Sequence, residues 1–563
     1  VSRTSGRQAL LGRLPTIWRT LRPLRFEQAR AQLVHALRGV PEPVRLDAPA
    51  PSLAVARLST DPLAPSAHVR SLGGRRIELL ATAFDLGTET NWATTRHGPL
   101  FAYHLHQHEY LRLQEFAPQE RAQRMLDWVA RHRSGTGWDP HPISLRLLCW
   151  GKLLTSPGAL ALSESDRKTI LASMQDQAET LTRGIEIRLQ ANHLLSNLIA
   201  LVWAGILLDG PRSAGWLAQS DALVEQVEEQ IHPDGGHEER SPMYHSLLLE
   251  NLLDLLNLCR AVSERAPVGL AESLSAAAAR MLSALEVWTH PDGRIALFGD
   301  SGFDIAPEPQ ALEEYAGRLG IRRDAQALAP TWMPQTGYAR LANRRVHLIA
   351  SVAGPAPAHQ PGHAHCDALS FELSLGGVRV VTDTGLYEYV PGPRRDRARA
   401  TASHATVQID GEEQAELWSA HRVGGRPWVE WVGWNAEDEL EATCRGWSRP
   451  ETIHRRRFRL EPEGLSIFDR VEGPLRCVRV CFPLDPAWQL ELSTAGRRAR
   501  ATRAAGWGGS ASGQVEIELA DALEWRIERA PYYPSFGREL QRAVLIGEGA
   551  ALDGIDTRIR WID

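Results

Sequence analysis

The chain has 563 residues, 43% hydrophobic and 23% charged, with a net charge of −5. Such a length exceeds what one core fills and predicts two large domains, with or without a small extension. The negative balance excludes a general nucleic-acid binder and leaves room for a local basic patch facing a polyanion. Eighteen tryptophans are many; core packing explains most of them, and sugar-stacking would be the functional use of a few. The six cysteines form no C-x-x-C pair, which argues against a disulfide framework or a thiolate zinc site and towards a reducing compartment.

The first forty residues carry eight arginines, but their apolar run is only Ala9-Leu10-Leu11, too short for a signal peptide. No stretch has the length of a membrane span. Leu14 to Leu37 reads as one basic amphipathic helix within an N-terminal extension, residues 1–70. Packing on the main domain is its expected role, with membrane contact as the alternative.

From residue 71 to 328 apolar residues recur at helical spacing. Ile143–Leu154, Leu194–Leu208, Leu247–Val262 and Leu270–Trp288 are the clearest helices. His-Pro-Asp-Gly occurs at 232–235 and again at 290–293, 58 residues on. That separation suits one helical hairpin plus loops and reads as an internal repeat; stacked hairpins of this kind form an α/α toroid. A linker at Ala329–Gly337 follows. From 338 to 563 the period becomes that of strands: His347–Val352, Ala368–Leu375, Val378–Thr382, Ala405–Ile409, Arg456–Leu460, Leu465–Val471, Val478–Phe482 and Val515–Leu519. Helices first and strands afterwards imply a helical domain and an antiparallel sandwich rather than alternating α/β.

Three segments carry candidate chemistry. In Gly362-His363-Ala364-His365-Cys366-Asp367, histidines two apart on an extended chain point to one side. Asp383 and His404 stand near the ends of following strands, so imidazoles and a carboxylate from neighbouring strands form a plausible zinc shell, with hydrogen-bonded histidines as the bland alternative. Asn192 and His193 open an apolar helix, where free N–H groups favour an anion; capping would serve equally. In Asp234–His245, Ser241-Pro242 marks a helix start that places Tyr244 in the first turn, where a packing role is the simpler explanation.

Together these phrases resemble the heparinase II/III-like superfamily of polysaccharide lyases. The likeness takes in Trp138-Asp-Pro140-His-Pro142-Ile-Ser-Leu-Arg146, Asn192-His193, Asp234–Tyr244, Gly362–Asp367, Asp383-Thr-Gly385, Thr401–Val407 and Tyr532-Tyr533-Pro-Ser-Phe536-Gly537. It implies an incomplete α/α toroid followed by an antiparallel β-sandwich. By the same resemblance Asn192, His193, Tyr244 and His363 fall on catalytic positions, and His365, Asp383 and His404 on a mainly structural zinc site. Arg146, Glu239 and Arg240 are expected to meet substrate. The basic run at Arg394, Arg395 and Arg399 is a further candidate for acidic-sugar recognition. One departure is His404-Ala405-Thr406, where relatives often have His-Asn-Thr.

The implied reaction is β-elimination from a uronic-acid polymer, with a heparin/heparan-type glycosaminoglycan first and alginate or glucuronan next. The implied setting is the bacterial cytoplasm or periplasm, with an acidic saccharide as partner, no nucleic acid, no integral membrane association, and a homo-oligomer left open. A glycoside hydrolase on the same toroid would instead need two carboxylic acids, from Asp234, Glu238, Glu239, Asp292 and Asp300. A non-catalytic polysaccharide binder is the third alternative.

Overall fold

The computed structural model describes residues 14–39, 42–323, 331–435, 438–503, 513–550 and 554–562. Its helical half contains the four expected helices as Pro140–Leu154, Ala191–Leu207, Pro242–Ala261 and Leu270–Val287. They are joined by Gly98–Gln107, Pro118–Arg131, Glu164–Arg183, Ser220–Gln230 and Pro309–Arg318, making an incomplete α/α toroid. Helix starts follow the sequence signals: Ser241 accepts a hydrogen bond from the Tyr244 N–H, and Pro242 occupies the first turn. Apart from His193, every residue of Ala191–Leu207 is buried, as expected of a helix apolar on all sides.

The His-Pro-Asp-Gly repeat is also a structural one. Ile231 bridges to His237 across the first copy, and Thr289 to Ile295 across the second. Gly235 and Gly293 have φ of +86° and +80°, a region that favours glycine. At Gly235 a Cβ would also lie 2.1 Å from the Arg280 carbonyl oxygen.

The C-terminal half is an antiparallel β-sandwich containing sheets of five, four and eight strands. The eight-stranded sheet starts at Trp428–Asn435, and all eight expected strands are present. Two expectations need correction. The single helix Leu14–Leu37 is two, Leu14–Leu21 and Phe26–Arg38, because Pro23 cannot donate into a continuous helix. Of the expected linker, Ala329 and Pro330 lie outside the described residues, while Trp332–Met333 pairs as a strand with Tyr338–Ala342.

The halves are joined by a mixed interface. Leu386, Tyr532 and Phe536 join the core of the toroid, while Trp288 and Phe298 pack with Met333, Tyr338 and Ile349. Arg379 donates to Asp292 and Glu372, and Arg240 to the carbonyls of Gly354 and Gln335. No helix among the described residues is long and apolar enough to cross a membrane.

Candidate active site

The start of the helix Ala191–Leu207 is strained. Gln190 and Ala191 have φ of +62° and +48°, and Arg240 across the cleft has +59°, values that cost non-glycine residues free energy and cluster at functional sites. Between these points the Asn192 amide donates to both oxygens of Glu239, at 2.9 and 2.8 Å. Glu239 Oε2 lies 4.0 Å from His363 Nε2. The His363 ring stacks on Tyr244 with centroids 4.0 Å apart, and the Tyr244 hydroxyl shares a 2.7 Å hydrogen bond with Tyr389. Asn192, Tyr244 and Tyr389 line a cavity of about 150 Å³ together with Tyr103 and His141.

His193, one residue along the helix, faces an adjoining wall. Its Nδ1 lies 3.0 Å from Glu186, and its ring is tilted against His141. Burial works to lower its pKa, but attraction and hydrogen bonding from Glu186 outweigh that and raise it above the ordinary histidine value. His193 is thereby biased towards the imidazolium. Burial pushes the Tyr244 phenol up, so Tyr244 is held as a neutral acid.

Asp300, from the toroid, organises the opposite side. It accepts from His363 Nδ1 at 2.8 Å, from His365 Nε2 at 2.9 Å, and from both terminal nitrogens of Arg395. Burial opposes its charge, but Arg395 and the two histidines prevail and hold its carboxyl well below the usual range. The tautomer imposed on His363 leaves Nε2 facing Glu239, the orientation a carboxylate gives a general-base histidine.

His365, Asp383 and His404 are all buried, and their ligand atoms lie within 4.8 Å of one another, close enough to hold a metal ion. The donor set suits a metal for three reasons. His365 donates through Nε2 to Asp300, leaving Nδ1 as a lone-pair nitrogen, and that atom is buried without a partner. His404 Nε2 is likewise buried without a partner. A carboxylate that orients a ligand imidazole is the usual second support of such sites. The loop carrying Asp383 is fixed by Gly385, whose φ is +72° and whose added Cβ would lie 2.2 Å from the Tyr533 carbonyl oxygen. Two further trios, His141–Glu186–His193 and Asp300–His363–His421, meet the same distance criterion, but Asp300 is already bound to Arg395.

Several expected substrate contacts do not face the cleft. Arg146 is fully buried, donating to Gln177 and the His106 carbonyl with its guanidinium 3.9 Å from the Trp128 ring centroid. Arg399 is buried on the carbonyls of Ala364, Ser419 and Ala420. Arg395 is buried on Asp300, and Arg240 is held by two carbonyls. Arg394 is exposed and pairs with Glu539 at 3.2 Å. The run Pro393–Arg399 is a short helix that turns Arg395 and Arg399 inward. Arg146→Gln is accordingly expected to change thermal stability and leave the KM of any substrate unchanged, read from melting curves and steady-state kinetics.

Tyr389, Asp300 and the Glu186–His141 support of His193 were not singled out for these roles from sequence. The sequence offers Asp300 only as a hydrolase acid, and nothing local marks Tyr389, 145 residues from its partner.

Residues 108–314 match the family described as Heparinase II/III N-terminus, and residues 325–561 match Heparinase II/III-like, C-terminal. The chain belongs to the heparinase II/III-like family. In fold it is similar to a crystal structure of heparinase III, with a TM-score of 0.63 at 17% identity, covering 81% of this chain and 77% of that one. It is also similar to heparan sulfate lyase HepC from Pedobacter heparinus, with a TM-score of 0.55 at 18% identity, covering 88% and 81%. A curated relative, FtsZ-localized protein C of Caulobacter vibrioides, is 26% identical over 374 residues; the match spans 64% of this chain and 62% of that protein.

Proposed function

We propose that the protein is a polysaccharide lyase that cleaves a uronic-acid polymer by syn β-elimination, with residues 71–328 as its catalytic domain. The observation carrying this reading is the junction of Asn192, Glu239, His363 and Tyr244 across two domains. Elimination needs a donor set for the uronate carboxylate, a base for the C5 proton and an acid for the leaving oxygen. Asn192, oriented by Glu239, and His193, whose pKa Glu186 raises against the effect of burial, suit the first task. His363 Nε2, oriented by Asp300, takes the C5 proton; the C–H electrons form the C4–C5 double bond as the C4–O bond breaks. Tyr244 then protonates the departing oxygen, with Tyr389 holding its hydroxyl.

The His363–Tyr244 stack supports the stereochemistry. Two rings in mutual contact reach a sugar from the same side, so proton removal and delivery share a face. That suits a uronate whose C5 hydrogen and C4 oxygen are cis, as in glucuronate and mannuronate. A heparan-type polymer with glucuronate is the preferred substrate, with glucuronan or a mannuronate-rich alginate next. The hydrolase reading loses most of its acids: Asp300 is locked as an ion, Asp292 is held by Arg379, Asp234 accepts from the N–H groups of Gln335 and Thr336, and Glu239 accepts from the Asn192 amide. That leaves Glu238, whose carboxyl burial pushes up to about 8, without a second free carboxylate among these candidates. Screening defined uronate polymers for the absorbance of an unsaturated product decides the matter. Saturated ends would indicate a hydrolase, and binding without turnover a carbohydrate-binding protein.

Asn192→Ala is expected to cut turnover roughly 10²–10³-fold, the scale of losing one preorganised donor, with the circular dichroism spectrum preserved. Near-normal kinetics would return Asn192 to capping.

In this reading His365, Asp383 and His404 hold zinc, whose role is to cross-link strands and fix His365 beside His363. Protein purified without added metal is expected to contain one zinc per chain by elemental analysis. His404→Ala should weaken zinc affinity by more than about a hundredfold and lower the melting temperature.

A further inference from the structure

The two N-terminal helices are docked the wrong way round for a soluble domain. Their inward face is polar. Thr16 and Arg19 donate to Glu416, Thr20 accepts from the Trp418 indole, Arg25 pairs with Glu229, and Gln28 and Gln32 donate to the carbonyls of His359 and Arg188. Their outward face is apolar. Leu14, Trp18 and Leu21 follow i, i+4, i+7 along the first helix, and Phe26, Leu33 and Leu37 continue the stripe on the second. Trp18, Phe26 and Leu37 are 66%, 81% and 77% exposed. Seven of the sixteen exposed large apolar side chains among the described residues fall in this one hairpin, so the patch is a concentrated feature and not the usual scatter.

Charge says what covers it. Arg22, Arg30 and Arg38 are exposed beside the apolar stripe, and Glu27 is the single acidic residue from 14 to 38. A protein whose net charge is −5 therefore presents its apolar patch inside a cationic rim. Arginine can leave its stem on an apolar surface and lift its guanidinium to a headgroup.

We propose that this hairpin is a peripheral anchor that seats the protein on an anionic lipid surface, lying in the interface with its apolar stripe among the acyl chains. The polar face that holds the hairpin on the body stays bonded as it does so. The first helix is tied to the sandwich, and the second to Glu229 and Arg188 of the toroid and to His359 of the C-terminal half, so the seated hairpin bridges both halves. The proposal is independent of the reaction assigned to the cleft.

Flotation of the purified protein with vesicles tests it. Vesicles of phosphatidylcholine with phosphatidylglycerol should carry the protein, roughly tenfold or more above phosphatidylcholine alone, and added salt should weaken the binding. Trp18→Glu with Phe26→Glu should abolish flotation while the melting temperature is kept, both side chains being exposed. Arg22→Glu with Arg30→Glu should lose the preference for anionic lipid. The proposal is overturned by no flotation, by equal binding to phosphatidylcholine alone, or by unchanged flotation of the Trp18/Phe26 variant. A wild-type dimer that the same variant dissolves, without lipid binding, would also overturn it and assign the face to a second copy of the chain.

Discussion

Tyr244→Phe is expected to fold and melt like the parent and to lose roughly 10²–10⁴ in rate, the usual scale of general acid–base catalysis. The substitution keeps the ring that stacks 4.0 Å from His363 and deletes the hydroxyl that meets Tyr389. In the proposed reading the uronate carboxylate is held by Asn192 and His193 and not by the Tyr244 hydroxyl, so the loss should fall on kcat, with KM little changed. Burial keeps the Tyr244 phenol protonated, so the parent holds its acid ready across the neutral range. Single-turnover formation of unsaturated product is the measurement. A Phe variant within a few-fold of the parent would mean that the leaving oxygen takes its proton elsewhere. Tyr389→Phe provides a graded companion: it leaves the acid but loses its holder, and a smaller loss is expected.

What could be read from the sequence follows a physical division. The helices and strands were legible because burial imposes a period, and the repeated His-Pro-Asp-Gly turn was legible because Gly235 admits no side chain. Asn192 and Tyr244 were marked by local signals, a helix start and a Ser-Pro cap. The partners that give these residues their roles come from far along the chain. Asp300 reaches His363 and His365 across 63 and 65 residues, and Tyr389 reaches Tyr244 across 145; no window of sequence contains such pairs. The arginines failed for a related reason. Charge suggests solvent, but Arg146, Arg395 and Arg399 are buried against carbonyls, a carboxylate and an aromatic face that take up most of their N–H groups. The N-terminal helices pack on the body as expected, but through their polar face, with the apolar side chains outward.

Asp300→Asn is expected to damage both stability and rate, and the two losses can be separated. The carboxylate is fully buried and satisfies Arg395, which is equally buried. Removing one partner of a buried pair leaves the other uncompensated, at a cost of about 3–5 kcal/mol, seen as a lower melting temperature. The rate loss has a different origin. Asp300 fixes the proton of His363 on Nδ1, and an amide that can turn its N–H towards the ring no longer does so. A base held in the wrong tautomer loses on the order of 10⁴ in rate in the best-studied arrangement of this type. Arg395→Met distinguishes the two causes, because it breaks the buried pair and leaves the Asp300–His363 hydrogen bond in place. The Met variant should melt early and, below its transition, turn over within a few-fold of the parent. Asp300→Asn should stay slow at every temperature where it is folded. Equal rate losses in the two variants would show that Asp300 acts only by holding the domains together, and would leave His363 without an orienting group.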